Sequence, residues 1–269
     1  MDLLNPPRLD KLAVKKSFER AAKSYNYAAI LHKEVLSRLL QRLDCIRHQP
    51  RAVIDIGCGT GNAVAGLQKR YSGSKIVGLD LAFSMLKESK KQYGLLRKKR
   101  VVNADMEKMP FADNSFDMLF SSLALQWVND LGATFKEFAR IGSRGSLLMF
   151  TTLGPGTLKE LRESWSEIDQ KPHVHQFIDM HDIGDALMAS GFSAPVVDAE
   201  NIRLEFQEFK HLFEDLKNTG ASNADKNRSR GLMTPAKFKR LENHYRQLGF
   251  EQGKFIASYD FIYGHAWLP

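Results

Sequence analysis

Cysteine is scarce in this chain of 269 residues, with only Cys45 and Cys58. That excludes a disulfide framework or a cysteine-built metal site, and it fits a reducing compartment, with the cytosol as the expected location. No apolar run approaches the roughly 20 residues of a membrane-spanning helix. The opening Met1-Asp2-Leu3-Leu4-Asn5-Pro6-Pro7 lacks a basic segment followed by an apolar one, so a soluble, unexported protein without a membrane partner is expected. No internal repeat is present. Acidic residues are the minority, 31 Asp and Glu against 39 Lys and Arg, giving a formal charge of +8 and a pI near 9.4. That surplus favours an anionic partner, either nucleic acid or an acidic protein, and charge alone does not choose between them. The length suits one domain with insertions.

Glycine is placed where it matters. Val53-Ile54-Asp55-Ile56-Gly57-Cys58-Gly59-Thr60-Gly61-Asn62 reads as a buried strand running into a loop whose glycines let backbone approach a ligand closely. Ile76-Val77-Gly78-Leu79-Asp80 reads as a second strand. Asp80 lies 25 residues after Asp55, so a strand-loop-helix-strand unit brings its carboxylate beside the loop, where it can accept hydrogen bonds from a ribose diol. A dinucleotide fingerprint requires G-x-G-x-x-G. The run here is Gly57-x-Gly59-x-Gly61, preceded by Asp55, which repels phosphate and attracts an amino acid's ammonium group. That combination points to S-adenosylmethionine. With Ala104-Asp105-Met106 after a third strand, the chain resembles the class I S-adenosylmethionine-dependent methyltransferases. The resemblance implies a cofactor set of Asp55, Gly57, Gly59, Gly61, Asp80 and Leu81, with Asp105 and Met106 at the adenine and Ser121 at the end of the fourth strand.

The expected fold is α/β, a mostly parallel seven-stranded Rossmann-like sheet with helices on both faces. Helices are predicted from about Lys11 to Tyr25 and Ala28 to Leu43, at Phe83 to Tyr93 and at Leu131 to Ile141. Strands are predicted at Ala52 to Ile56, Lys75 to Asp80, Arg100 to Ala104, Phe116 to Ser121 and Ser146 to Thr151. After Thr152 come a helix from Gly154-Pro155-Gly156 through Ile168, another near Met180 to Ala189, and strands near Pro195 to Phe206 and Phe255 to Tyr263. The organisation is one domain: N-terminal helices over 1–48, a cofactor-binding core over 49–153, and a C-terminal half over 154–269. Its helical insertion, about 207–250, is expected to cover the crevice as a lid. The run Arg97-Lys98-Lys99-Arg100 is expected at a solvated edge, and Lys15, Lys16, Arg20 and Lys23 form a basic helical patch leading towards the glycine loop.

The fourth strand narrows the chemistry. Base-directed amino methylases carry Asn-Pro-Pro-aromatic there, where this chain has Ser121-Ser122-Leu123-Ala124. Pyrimidine methylation needs a nucleophilic cysteine beside the substrate, and neither cysteine is placed for it. Nucleic acid is therefore not the expected substrate. The fifth strand ends Phe150-Thr151-Thr152-Leu153 without clustered acids, so no metal is expected. What remains fits a nucleophile already ionised at neutral pH, such as a carboxylate, aligned without a dedicated catalytic residue.

Lys16-Ser17-Phe18-Glu19-Arg20-Ala21-Ala22-Lys23-Ser24-Tyr25 resembles the opening signature of the malonyl-acyl carrier protein O-methyltransferases of biotin synthesis, the BioC family. Leu123-Ala124-Leu125-Gln126-Trp127 is similar, as are Phe150 through Trp165 and, in the late insertion, Leu216-Lys217 with Gly220-Ala221. His32 departs from the glutamine that members tend to carry, and the loop 171–176 is histidine-rich. The resemblance implies methyl transfer to the free carboxylate of a malonyl thioester on an acidic acyl carrier protein, giving the methyl ester that primes pimeloyl synthesis. Arg20, Tyr25 and Gln126 are the substrate candidates; Thr151, Thr152, His173 and His175 are set aside, and Arg144 is expected at the surface. Two alternatives stay open: a small-molecule carboxyl or carbon methyltransferase, and a protein that binds the cofactor without turnover. A monomer is expected.

Overall fold

The computed structural model describes residues 9–91, 100–229 and 231–269. Tyr93 and Arg97 to Lys99 lie outside the described residues. Three N-terminal helices come first: α1 (Lys11–Ala21), α2 (Tyr25–Ala28) and α3 (Ile30–Arg42). The core then alternates β1 (Ala52–Ile56), α4 (Asn62–Arg70), β2 (Lys75–Asp80), α5 (Phe83–Ser89), β3 (Val101–Asn103), β4 (Phe116–Ser122), α6 (Leu131–Ile141) and β5 (Gly142–Leu153). The second half adds α7 (Lys159–Ser166), α8 (Met180–Ala189), β6 (Ser193–Phe206), α9 (Phe209–Asn218), α10 (Pro235–Gly249), β7 (Phe250–Glu251) and β8 (Lys254–Trp267).

Seven strands form the sheet in the order β3-β2-β1-β4-β5-β8-β6, and the two-residue β7 pairs with β8 as an eighth. Strands β3 to β5 are parallel, and β8 runs antiparallel between β5 and β6. Alternate side chains feed two cores, as the two-residue period of a strand requires. Val53, Met118, Phe120, Leu147 and Met149 pack with α3, α4, α7, α9 and α10. Ile54, Ile56, Leu119, Leu148 and Phe150 pack with α6 and α8 on the other face. In α6, Leu131, Phe135, Phe138 and Ile141 recur at helical spacing and are all buried. The Asp130 carboxylate caps that helix by accepting from the Ala133 N–H at 2.8 Å.

Three predicted elements differ most from the structure. The first helix ends at Ala21 instead of running to Tyr25. There the Ser24 hydroxyl donates to the Ala21 carbonyl at 3.1 Å, competing with the helical ladder. The helix expected from Gly154 begins only at Lys159, because Gly154 and Gly156 sit tightly against Asp260. The late insertion is divided: α9 and the loop after it face the crevice side, whereas α10 packs on α7 and β8. Among the described residues no helix is long and apolar enough to cross a membrane.

Candidate active site

Parallel pairing places the C-terminal ends of β1, β2, β3 and β4 along one edge, where ligands of open α/β sheets bind. The loop after β1 is folded by its own backbone. The N–H groups of Gly57 and Cys58 both donate to the Leu79 carbonyl, at 2.8 and 2.9 Å. Gly57 has φ +73°, and a Cβ there would meet Ala124 Cβ at 2.3 Å. Gly61 has φ +82° and opens α4, with Ser89 closing the space a side chain would need. Gly59 differs, since a Cβ there would meet nothing within 4 Å. Its bare backbone therefore faces open space, the cradle a ligand would occupy.

Asp80 accepts from the Gly59 N–H at 2.9 Å and the Ala82 N–H at 2.8 Å, which fixes both carboxylate oxygens towards the loop. Burial pushes its carboxyl up to about 6 despite those bonds. Asp55 lies deeper, 1% exposed, and its Oδ2 has no hydrogen-bond partner. Burial first, and then the neighbouring Asp80, push it up to about 8. An unpartnered buried carboxyl is costly unless something cationic meets its field. The pair thus makes an electronegative floor suited to a cation, and a phosphate would be repelled.

Helix α1 roofs this floor. Glu19 accepts from the Phe83 and Ser84 N–H groups at the start of α5, at 2.6 and 2.9 Å. Lys11 pairs with Asp105 at 3.2 Å and with Glu107 at 2.5 Å. The crevice left beneath α1 is about 70 Å³. Ligand pockets are generally at least about 300 Å³, so a nucleoside with an amino acid enters only if α1 moves or the ligand extends into the neighbouring space.

That space is a cavity of about 900 Å³. Phe18, Tyr25, Leu123 and Trp127 belong to the walls of both. Leu153, Leu158, Leu161, Trp165, Phe213 and Phe261 make the larger cavity mainly apolar. Leu123 and Leu158 both have φ +52°, strained values for a side chain of this size, and both face the cavity. Gln126 lies on the wall, with its Nε2 donating to the Leu123 carbonyl at 2.8 Å.

The structure therefore gathers Tyr25, Gly57, Gly59, Asp80, Leu81, Asp105 and Met106 around the crevice, whereas Asp55, buried on β1, and Gly61, packed against Ser89 at the start of α4, are not on its wall. It does not bring Ser121 or Arg20 to either wall. The Ser121 hydroxyl donates to the Ile56 carbonyl at 2.9 Å and ties β4 to β1, while Ser122 takes the place on the lining. Arg20 is exposed on α1, and Arg144 is exposed near the start of β5. His173 and His175, set aside on sequence, both line the large cavity. His173 stacks on Trp165 at 3.5 Å, and His175 Nε2 accepts from the Ala224 N–H at 2.9 Å. Sequence reasoning also missed Lys11, Phe18 and Arg228; the last pairs with Asp10 at 3.4 Å, and no local pattern marks it. Among the described residues no group of three His, Cys, Asp or Glu could hold a metal ion.

The sheet order, the glycine loop and the paired acids define a class I methyltransferase fold. The methyltransferase domain family matches residues 54–150. A Haemonchus contortus phosphoethanolamine N-methyltransferase 2, solved with phosphomonomethylethanolamine and S-adenosylhomocysteine, superposes with a TM-score of 0.57 at 18% identity, covering 93% of this chain and 57% of that one. The malonyl-[acyl-carrier protein] O-methyltransferase of Laribacter hongkongensis is 47% identical over 97% of this chain and 90% of its own length. That of Halorhodospira halophila is 42% identical over 96% and 88%. The chain belongs to the malonyl-[acyl-carrier protein] O-methyltransferase family.

Proposed function

We propose that this protein moves a methyl group from S-adenosylmethionine to the free carboxylate of a malonyl group carried as a thioester on an acyl carrier protein. The observation that carries the reading is the meeting of an acid-floored crevice with a large apolar cavity at Tyr25, Leu123 and Trp127. The product is the malonyl methyl ester that primes pimeloyl synthesis for biotin. When bound, S-adenosylmethionine supplies an electrophilic methyl group on a sulfonium. Asp80 takes the ribose diol, Asp55 offers its charge to the ammonium group, Leu81, Asp105 and Met106 flank the adenine, and Gly57, Gly59 and Gly61 allow close backbone approach.

The malonyl carboxylate is ionised at neutral pH, so no base is needed. One of its oxygens forms the new bond to the methyl carbon as the carbon–sulfur bond breaks, and the electron pair stays on sulfur. Opposite charges disappear in this step. An apolar wall therefore favours the transition state over the separated ions, and alignment contributes the rest, roughly 7–11 kcal/mol for well-oriented reactants. Tyr25 stays a neutral phenol, because burial and then Asp80 raise its pKa. Together with Gln126 it sits on the substrate side.

Methylation is tested with methyl-labelled cofactor against malonyl carrier protein, malonyl-coenzyme A and free malonate, with the label located by mass spectrometry of intact products. Label on the carrier-bound ester, far above free malonate, is expected; no label on any of the three ends the reading. An acidic carrier protein suits the net charge of +8, with Arg20, Lys16 and Lys23 exposed on and beside the roofing helix. Accordingly, KM for malonyl carrier protein should rise several-fold between about 50 and 500 mM salt, with kcat little changed. A KM indifferent to salt would remove the charge argument.

Cofactor affinity should depend on pH with a definite sign. In the empty protein Asp55 and Asp80 hold their protons up to about 8 and about 6. An incoming ammonium favours the ionised forms, so binding releases protons, and affinity rises as pH increases through that window. Above roughly pH 8 the ligand's own α-amino group deprotonates and affinity falls. Calorimetry in buffers of different ionisation enthalpy should give about tenfold tighter S-adenosylhomocysteine binding at pH 7.5 than at pH 6, with net proton release. Proton uptake or a flat profile would contradict the paired-acid floor.

A further inference from the structure

We infer that His32 is a substrate-orienting residue whose imidazole donates a hydrogen bond to the malonyl carboxylate oxygen that does not attack; this rests on the function proposed above. Six buried side-chain nitrogen or oxygen atoms among the described residues lack a partner, and His32 Nδ1 alone belongs to a residue lining the large cavity. Several other polar side chains on that wall are engaged, whereas the Tyr25 and Tyr259 hydroxyls and the Asp215 carboxylate, like His32, make no side-chain hydrogen bond among the described residues. Gln126 donates to the Leu123 carbonyl, His173 bonds Asp169 at 2.8 Å, His175 accepts from Ala224, and Asn223 donates to the Pro172 carbonyl at 2.7 Å. No described residue hydrogen-bonds either nitrogen of His32. Native interiors seldom leave a ring without any partner, and where one lines a cavity the nitrogen that is not sealed, here Nε2, is where a ligand can supply one.

Position narrows the ligand atom. The ring of His32 meets Tyr25 edge-on, with centroids 5.7 Å apart and an interplanar angle of 63°. Tyr25 stands between the cavity and the crevice. Only the reacting end of an acyl chain must reach that junction. Nδ1 is sealed from water, so Nε2 is the nitrogen a ligand can approach from the cavity, carrying the proton of the neutral tautomer. Burial lowers the imidazole to about 4, so it stays neutral in ordinary buffers. A neutral donor suits this reaction: it fixes one carboxylate oxygen, whereas an ion pair would stabilise the ionic ground state more than the partly neutralised transition state. His32 keeps its proton throughout.

The test compares wild type with His32→Leu and His32→Gln using malonyl carrier protein. His32→Leu should lose about 10- to 100-fold in kcat/KM, the range for one hydrogen bond to a charged group. His32→Gln, which still offers an N–H, should stay within about threefold. Both variants should bind S-adenosylhomocysteine as wild type does and keep its Tm. In ¹⁵N-histidine-labelled protein holding S-adenosylhomocysteine, the His32 Nε2 resonance should shift when malonyl carrier protein is added. Wild-type activity in His32→Leu, an unmoved resonance, or equal losses in both variants with a lowered Tm would each overturn the inference. Failure of wild type to methylate malonyl carrier protein would be read separately, as failure of the function itself.

Discussion

Replacing Asp80 with alanine should weaken S-adenosylhomocysteine binding at least about 100-fold and abolish measurable turnover at ordinary cofactor concentrations. Two hydroxyl-to-carboxylate hydrogen bonds from a ribose contribute about 1.5–3 kcal/mol each, and both would be lost. The Gly59 and Ala82 N–H groups would also lose their acceptor, loosening the loop that faces the ligand. Stability of the empty protein should change far less, because burial already penalises this carboxylate. The informative measurement is a thermal shift with and without ligand. The variant should unfold within a few degrees of wild type when empty and gain almost nothing from S-adenosylhomocysteine, since stabilisation by a ligand follows its affinity. Undiminished stabilisation by ligand would show that Asp80 does not hold the ribose.

Replacing Gly57 with alanine should cost about 2–5 kcal/mol of stability as well as cofactor affinity. Alanine at φ +73° is penalised by roughly 1–2 kcal/mol, and overpacking against Ala124 Cβ, 2.3 Å from the new methyl, adds about 1–3 kcal/mol. The two contributions separate in a double-mutant cycle. Adding Ala124→Gly removes the clash and leaves the dihedral penalty, so the double variant should recover at least about 1 kcal/mol relative to the additive expectation. Denaturant unfolding of the four proteins measures it. Strict additivity would mean that the loop and the turn after β4 do not touch as closely as the structure has them.

Much of this architecture was legible before any coordinates. Val53 to Ile56 and Ile76 to Leu79 are short β-branched runs ended by glycine or aspartate, and both became strands with their predicted ends. Local patterns suffice there because a strand buried on both faces needs an unbroken apolar run. The helices Leu131–Ile141 and Met180–Ala189 also stand at their predicted bounds, since an aspartate precedes each and caps it. Less legible was the break after Ala21, which depends on a serine hydroxyl finding a carbonyl.

By itself, the sequence determined the alternation of strands and helices in a parallel first half, the glycine loop and the place of Asp55, Asp80 and Asp105 at one sheet edge. These depend on residues close in the chain and on right-handed crossovers, so spacing carries the information. On the substrate side the resemblance had already singled out Tyr25 and Gln126, and the tertiary structure decided what they meet. Tyr25, His32, Gln126, His175 and Arg228 come from segments up to about 200 residues apart and meet around one cavity. Nothing local distinguishes His32 from an ordinary helix residue, or Ser121 from Ser122. Burial, the pleat of β4 and the packing of α1, α3 and α9 settle which side chain faces the ligand space, and those are properties of the assembled fold.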